Sequence, residues 1–104
     1  MKITNVSFIG LGVMGYPMAG YLQKNKLNVT VYNRTKSKAE KWINDYGGKL
    51  AYTIEEAVKN SDAIFICVGR DEDLREVMES PDGILNNCKK NIIIVDHTTA
   101  SADI

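Results

Sequence analysis

The chain has little that would tie it to a metal, a disulfide scaffold, a membrane or a nucleic acid. Its two cysteines, Cys67 and Cys88, are too few and too far apart for a zinc cluster or a disulfide framework. Both read as free thiols of a reducing compartment, which places the protein in the cytoplasm. No apolar run reaches the length needed to cross a bilayer. The opening Met1-Lys2-Ile3-Thr4-Asn5 passes straight into a strand pattern and does not resemble a cleaved secretion signal. Thirteen basic and thirteen acidic residues cancel. No net positive field therefore gathers nucleic acid or an acidic membrane, although a local anion site is still allowed. The lone histidine, His97, is weak evidence for catalysis by itself. Repeats and low-complexity linkers are absent.

What is present suits one globular domain. The 104 residues are 44% apolar and 25% charged. Short apolar runs alternate with helical patterns. Val6-Ser7-Phe8-Ile9 forms a first strand and leads at once into glycines. From Val13 to about Asn25, Met14, Met18 and Leu22 recur every fourth residue, predicting a helix with one apolar stripe. Pro17 belongs in its first turn, where a missing N–H is harmless. Gly20 in mid-helix costs about 1 kcal/mol against Ala, which a close approach to a strand would offset.

Asn28 to Tyr32 is a second strand, rich in β-branched residues. Ser37 to Tyr46 is a helix stopped by Gly47-Gly48, and Lys49-Leu50-Ala51 is a short third strand. Thr53-Ile54-Glu55-Glu56 has capping-box spacing and opens a brief helix through Val58. Ala63 to Val68 is apolar without alternation, as a central parallel strand covered on both faces should be. Asp71 caps a further helix bearing Leu74, Val77 and Met78 and ended by Pro81. A turn at Ile84-Leu85 then leads to a fifth strand, Ile92 to Val95. Right-handed crossovers between such strands imply a Rossmann-type parallel sheet with helices on both faces. The expected order is 3-2-1-4-5, stopping before a sixth strand and leaving strand 5 as an edge.

Gly10-Leu11-Gly12-Val13-Met14-Gly15 is the strongest local signal. A GxGxxG alone is weak, but this one follows an apolar strand and opens a helix that runs to a second strand. Gly10 permits the turn, Gly12 lets a pyrophosphate approach the backbone, and Gly15 lets the helix pack on the sheet. Amides at the helix start then face the phosphates. The rival reading, a methyltransferase, calls for an acidic residue near the end of strand 2. The chain instead has Asn33-Arg34-Thr35, followed by Lys36 and Lys38. Arginine offers a planar fork to the 2′-phosphate of NADP, and Thr35 a further hydrogen bond. A solvated basic surface is the plainer alternative, yet a helix N-terminus is the worse end for cations. The turn thus favours NADP over NAD. Cys67, Val68 and Gly69, closing strand 4 beside the predicted crevice, join the candidate cofactor contacts.

These residues resemble the β-hydroxyacid dehydrogenase family, which includes 3-hydroxyisobutyrate and 6-phosphogluconate dehydrogenases. The resemblance covers essentially the whole chain. Phe8 to Ala19 is similar to the family opening, G-L-G-x-M-G-x-x-M-A, and Asn33-Arg34-Thr35 to its cofactor-selecting turn. Asp96-His97-Thr98-Thr99 resembles the substrate signature D-x-S/T-T. The nearest branch is that of 3-hydroxyisobutyrate, glyoxylate and succinic semialdehyde enzymes. The resemblance implies that residues 1–104 are part of a nucleotide-binding domain. It places Thr98 on a small carboxylate-bearing substrate, with Thr99 supporting it. A helical C-terminal domain, absent here, would supply the catalytic lysine and commonly a dimer interface. None of the lysines present matches the lysine motif, so no catalytic residue is expected in this chain and no turnover by it alone. Metal and nucleic-acid ligands are not expected. Relatives often carry a proline soon after strand 4, which Gly69-Arg70-Asp71 lacks. The non-enzymatic alternative is a nucleotide-sensing regulatory domain.

Overall fold

A wholly parallel five-stranded sheet lies at the centre of the molecule. The computed structural model describes residues 3–12, 14–67, 78–79, 83–84 and 92–96. Its strands are β1 (Asn5–Ile9), β2 (Asn28–Tyr32), β3 (Lys49–Leu50), β4 (Ala63–Ile66) and β5 (Ile93–Asp96). They pair in the order β3-β2-β1-β4-β5, the order expected of the Rossmann class. Strand β1 is central, with Val6 opposite both Val29 and Ala63, and Ile9 opposite both Tyr32 and Ile66.

Alternation of side chains sends β1 into two cores. Val6 and Phe8 pack toward helices α1 (Gly15–Lys24) and α2 (Lys36–Tyr46), together with Val29, Val31, Ala39 and the fully buried Trp42. Ile9, Ile64 and Ile66 pack on the other face against helix α3 (Ile54–Val58) and Ile84. Buried polar groups are paired across this second face. Ser61 Oγ donates to the Ala57 carbonyl at 3.1 Å, so its 2.5 Å partner, Ser7, must be the donor between the two hydroxyls. The Thr53 hydroxyl accepts from the Glu56 amide at 3.1 Å, as its capping spacing predicts.

Some expectations shift. Strand β4 ends at Ile66 rather than Val68. Its partner β1 ends at Ile9, and the Cys67 amide makes the last ladder bond, to the Ile9 carbonyl at 2.8 Å. Strand β5 lies one residue later than expected, its register set by Ala63 opposite Ile93 and Ile66 opposite Asp96. Cys88 and the helix expected from Asp71 through Val77 to Pro81 lie outside the described residues. Met78, expected on that helix, is described and packs beside the α3-side core.

The larger correction concerns α1. Its buried residues are Gly15, Ala19 and Gly20, not the stripe of Met14, Met18 and Leu22. The helix lies so close to the sheet that only small residues fit beneath it, and the bulky ones are turned to its flank. Met18 and Leu22 are half-buried there, and with Pro17, Tyr21 and Phe65 they line an open apolar hollow. Gly20 does make a close approach, but to the Tyr46 ring of α2 and not to a strand; a Cβ there would overlap the ring.

Helices α1 and α2 are joined by polar bonds as well as by packing. Trp42 Nε1 donates to the Tyr16 carbonyl at 3.2 Å, and the Tyr16 hydroxyl donates to Asp45 Oδ2. The ring of Tyr46 sits edge-on to Tyr16, with centroids 5.9 Å apart. Gly47, left-handed at φ 92°, closes α2 by donating to the Ile43 carbonyl at 2.8 Å. Desolvation, then the Asp45 hydrogen bond and charge, push the Tyr16 phenol up from 10.0 to about 12.

A raised acid stabilises the fold only while it keeps its proton. The unfolded chain releases the Tyr16 proton near pH 10 and the folded chain near pH 12. Its contribution is therefore complete below pH 10 and lost as pH rises through 12. Denaturant midpoints of the unmodified chain and Tyr16→Phe, measured from pH 9 to 12, should converge across that interval. A gap that stays constant would contradict the Tyr16–Asp45 assignment.

Candidate functional site

The strands are all parallel, so their carboxyl ends lie together at one end of the sheet. Gly10 makes the departure from β1 with φ 100°, a conformation that side chains rarely adopt. Its amide still donates to the Tyr32 carbonyl at 2.9 Å, extending the β1–β2 ladder by one bond. Leu11 then turns fully into the α1-side core. Gly12 is exposed, and its carbonyl accepts from the Tyr16 amide at 3.0 Å.

The three glycines stand in three different settings. Gly10 is required by its dihedral angle. Gly15 is required by packing: a Cβ there would overlap the Gly10 carbonyl oxygen and lie 3.1 Å from the Phe8 ring and 3.3 Å from Cys67 Cβ. Gly12 has neither constraint. Its φ is not in the left-handed range, and an added Cβ would meet nothing within 4 Å. No group in the described residues needs that space. A side chain at Gly12 would stand in open space. Met14 precedes α1 without a side-chain cap, and its own side chain is exposed. The Tyr16 amide is already engaged and Pro17 has no N–H, so among the described residues the amides of Met14 and Gly15 are the ones at this helix start that an outside acceptor could meet.

The second half of the site is the turn from β2 to α2. Asn33 is half-buried, and its carboxamide is used at both ends. Its Oδ1 accepts from the Leu11 amide at 2.8 Å, and its Nδ2 donates to the Thr35 carbonyl at 3.0 Å. Arg34, Thr35, Lys36 and Lys38 are exposed. Thr35 is the N-cap of α2 but makes no side-chain cap bond, and the first turn contains no acidic residue. Lys36 lies over the Tyr52 ring, 5.4 Å from its centroid, while Lys38 lies two residues further along α2. A helix N-terminus carrying only cations is poorly matched to its own dipole, and an anion would relieve that mismatch.

The structure therefore brings Gly10, Gly12, Met14 and Gly15 to the same end of the sheet as Asn33, Arg34 and Thr35. Leu11 and Cys67 support the loop from inside: Leu11 is wholly buried with its amide engaged, and the Cys67 side chain packs beneath Gly15. Val13, Val68, Gly69, Arg70, His97, Thr98 and Thr99 lie outside the described residues. Asp96 ends β5 opposite Ile66, at the same end of the sheet. Sequence reasoning missed the double bonding of Asn33. The signal available was an amide side chain placed right after a strand, where such residues bond neighbouring backbone. A polar cleft of about 550 Å³, lined in part by Asn5, Asn28, Lys49 and Lys59, opens at the opposite ends of β1 and β2 and is separate from the glycine loop. Among the described residues no cluster of three or more potential metal ligands occurs, and no helix is long and apolar enough to cross a membrane.

A parallel sheet in this order, with a glycine loop between β1 and α1, defines an NAD(P)-binding domain of the Rossmann type. The chain belongs to the family described as the NAD binding domain of 6-phosphogluconate dehydrogenase, which matches residues 5–104. It is 53% identical over 102 residues to an uncharacterized oxidoreductase of Shewanella frigidimarina, covering 98% of this chain and 35% of that one. It is 40% identical over 98 residues to a probable mitochondrial 3-hydroxyisobutyrate dehydrogenase-like protein of Arabidopsis thaliana, covering 93% and 29%. The chain thus spans about a third of the length of these relatives. Among solved structures, the imine reductase of Myxococcus stipitatus with NADP+ superposes at a TM-score of 0.81, with 28% identity over 93% of this chain and 32% of that one. A variant of that enzyme with NAD+ gives 0.83, with 26% identity over 97% and 33%.

The buried Gly15 and the exposed Gly12 should answer differently to a methyl group. Gly15→Ala is expected to lower unfolding free energy by about 1–3 kcal/mol, since the obstructing atom is backbone. Gly12→Ala should change it by less than about 0.5 kcal/mol, as for an unconstrained surface site. Thermal or urea unfolding of both variants checks the contrast, and equal losses would contradict it.

Proposed function

We propose that this chain is the cofactor-holding portion of an oxidoreductase that uses NADP(H) in preference to NAD(H). The parent enzyme interconverts a small carboxylate-bearing hydroxy acid with the corresponding aldehyde or keto acid. The observation that carries this reading is Gly12, whose missing side chain serves no contact within the described protein. A diphosphate would approach the backbone over that open space, where the Met14 and Gly15 amides at the start of α1 would meet its charge. The names of the relatives, oxidoreductase and dehydrogenase, support the reaction class.

The bound nicotinamide supplies or accepts the hydride. The residues of this chain bind and orient it. The loop from Gly10 to Gly15 would hold the diphosphate by the backbone amides from Gly12 through Val13 and Met14 to Gly15, with Gly10 and Leu11 shaping it from within. Arg34 pairs with the 2′-phosphate through its guanidinium fork, Thr35 adds a hydroxyl, and Lys38 adds charge from α2. Cys67, Val68 and Gly69 border the nicotinamide-ribose side. Thr98 and Thr99 contact the substrate. In this reading the lysine that exchanges the substrate-oxygen proton belongs to a helical domain of the parent enzyme, which is a cytoplasmic homo-oligomer. Residues 1–104 alone bind nucleotide without turnover.

Binding of NADPH and NADH, followed by nucleotide fluorescence, tests this reading. Gly12→Val should weaken both by at least about tenfold, because the added side chain would stand where the diphosphate approaches the backbone. Arg34→Ala should weaken NADPH by about ten- to a hundredfold, the range for losing a charge-assisted hydrogen bond, and leave NADH within about twofold. No binding of either nucleotide by the unmodified chain would sink the proposal. Equal loss of both with Arg34→Ala would reject the 2′-phosphate role.

A further inference from the structure

We propose that Asn33 is a positioning residue that locks the diphosphate loop to the turn that reads the 2′-phosphate, so that the two halves of the nucleotide site are held in one fixed relation. This rests on the cofactor reading above. The backbone ladder between β1 and β2 makes its last bond from the Gly10 amide to the Tyr32 carbonyl, at 2.9 Å. Beyond it the two segments part, one toward α1 and the other toward α2. Asn33 adds one more rung with its side chain: Oδ1 takes the Leu11 amide at 2.8 Å, across 22 residues of sequence.

The other end of the same carboxamide fixes the turn. Nδ2 donates to the Thr35 carbonyl at 3.0 Å, spanning Arg34. Arg34 is therefore the middle residue of a loop closed by Asn33, and its backbone is held while its side chain remains at the surface. Because Leu11 is completely buried, the loop end of the clamp is anchored in the core rather than in solvent. Both functional atoms of Asn33 are engaged within the chain, which suits a residue that shapes the site more than one that contacts the ligand.

The chemistry needs an amide. A carboxylate at this position could accept from Leu11 but could not donate to Thr35, and it would set a negative charge between two phosphate positions. A serine has one hydrogen and too short a reach to bond both segments. Pre-formed geometry is what turns an exposed arginine into a discriminating contact: a loose turn would let the guanidinium move, and the gain from pairing would be offset by ordering cost.

The test combines affinity and exchange. NADPH and NADH affinities are measured for the unmodified chain, Asn33→Ala, Arg34→Ala and the double variant. The lock predicts that Asn33→Ala brings the NADPH:NADH preference to within about twofold of the Arg34→Ala value although Arg34 is intact. It predicts further that Arg34→Ala, worth at least about tenfold in preference alone, changes it by less than about twofold in the Asn33→Ala background. A purely structural role would lower both affinities together and keep the ratio; that result overturns the proposal. A preference missing from the unmodified chain sinks the cofactor reading and the lock with it, whereas one that survives Asn33→Ala sinks the lock alone. Should Asn33→Ala fail to fold, amide hydrogen exchange on the unmodified chain decides: the Leu11 amide should be protected like that of Gly10. Exchange as fast as at Gly12 would overturn the proposal.

Discussion

The closeness of α1 to the sheet at Gly15 is the constraint from which the rest of the site follows. Only a residue without a side chain can sit there, wedged against the Gly10 carbonyl, the Phe8 ring and the Cys67 side chain. That contact fixes where the helix begins and how near its first amides come to the end of β1. Ala19 is buried in the same core as Phe8, Gly20 meets the Tyr46 ring, and Trp42 donates to the Tyr16 carbonyl, so that α2 is held against the helix. The helix start is thus set by packing on two sides.

From that constraint the site acquires two anion-facing regions at one end of the sheet. One is made of backbone, at the glycine loop. The other is made of side chains, at the turn into α2. Each alone is an ordinary feature; a helix start or a basic turn occurs in many proteins without a ligand. Their meaning comes from adjacency on neighbouring parallel strands, β1 and β2, and from the Asn33 carboxamide that spans them. A dinucleotide has its phosphates distributed in the same way, a diphosphate at the centre and, in NADP, one more phosphate on the adenosine ribose.

Much of this was legible in the sequence. The runs Val6–Ile9, Asn28–Tyr32 and Ala63–Val68 locate three strands, the last apolar without alternation as a strand covered on both faces should be. The strand order follows from the Rossmann class that the glycine loop indicates, since right-handed crossovers alone allow other orders. Gly10, Gly12 and Gly15 were readable as a group because their context of strand and helix was local. The orientation of α1 was less legible. Met14, Met18 and Leu22 make a convincing stripe, yet the buried side is the one lined by Gly15, Ala19 and Gly20. Periodicity ranks faces by hydrophobicity, whereas a crowded junction selects by size.

What the residues determined by themselves was the succession of elements, the glycine loop, and a cationic turn after the second strand, since each depends on neighbours within a few positions. Tertiary structure alone decided that Gly20 meets Tyr46, that Tyr16 bonds to Asp45, and that Asn33 joins Leu11 to Thr35. Those pairings link segments 22 to 29 residues apart. Their existence depends on angstrom-scale distances between packed elements, and no local pattern of residue types encodes such distances.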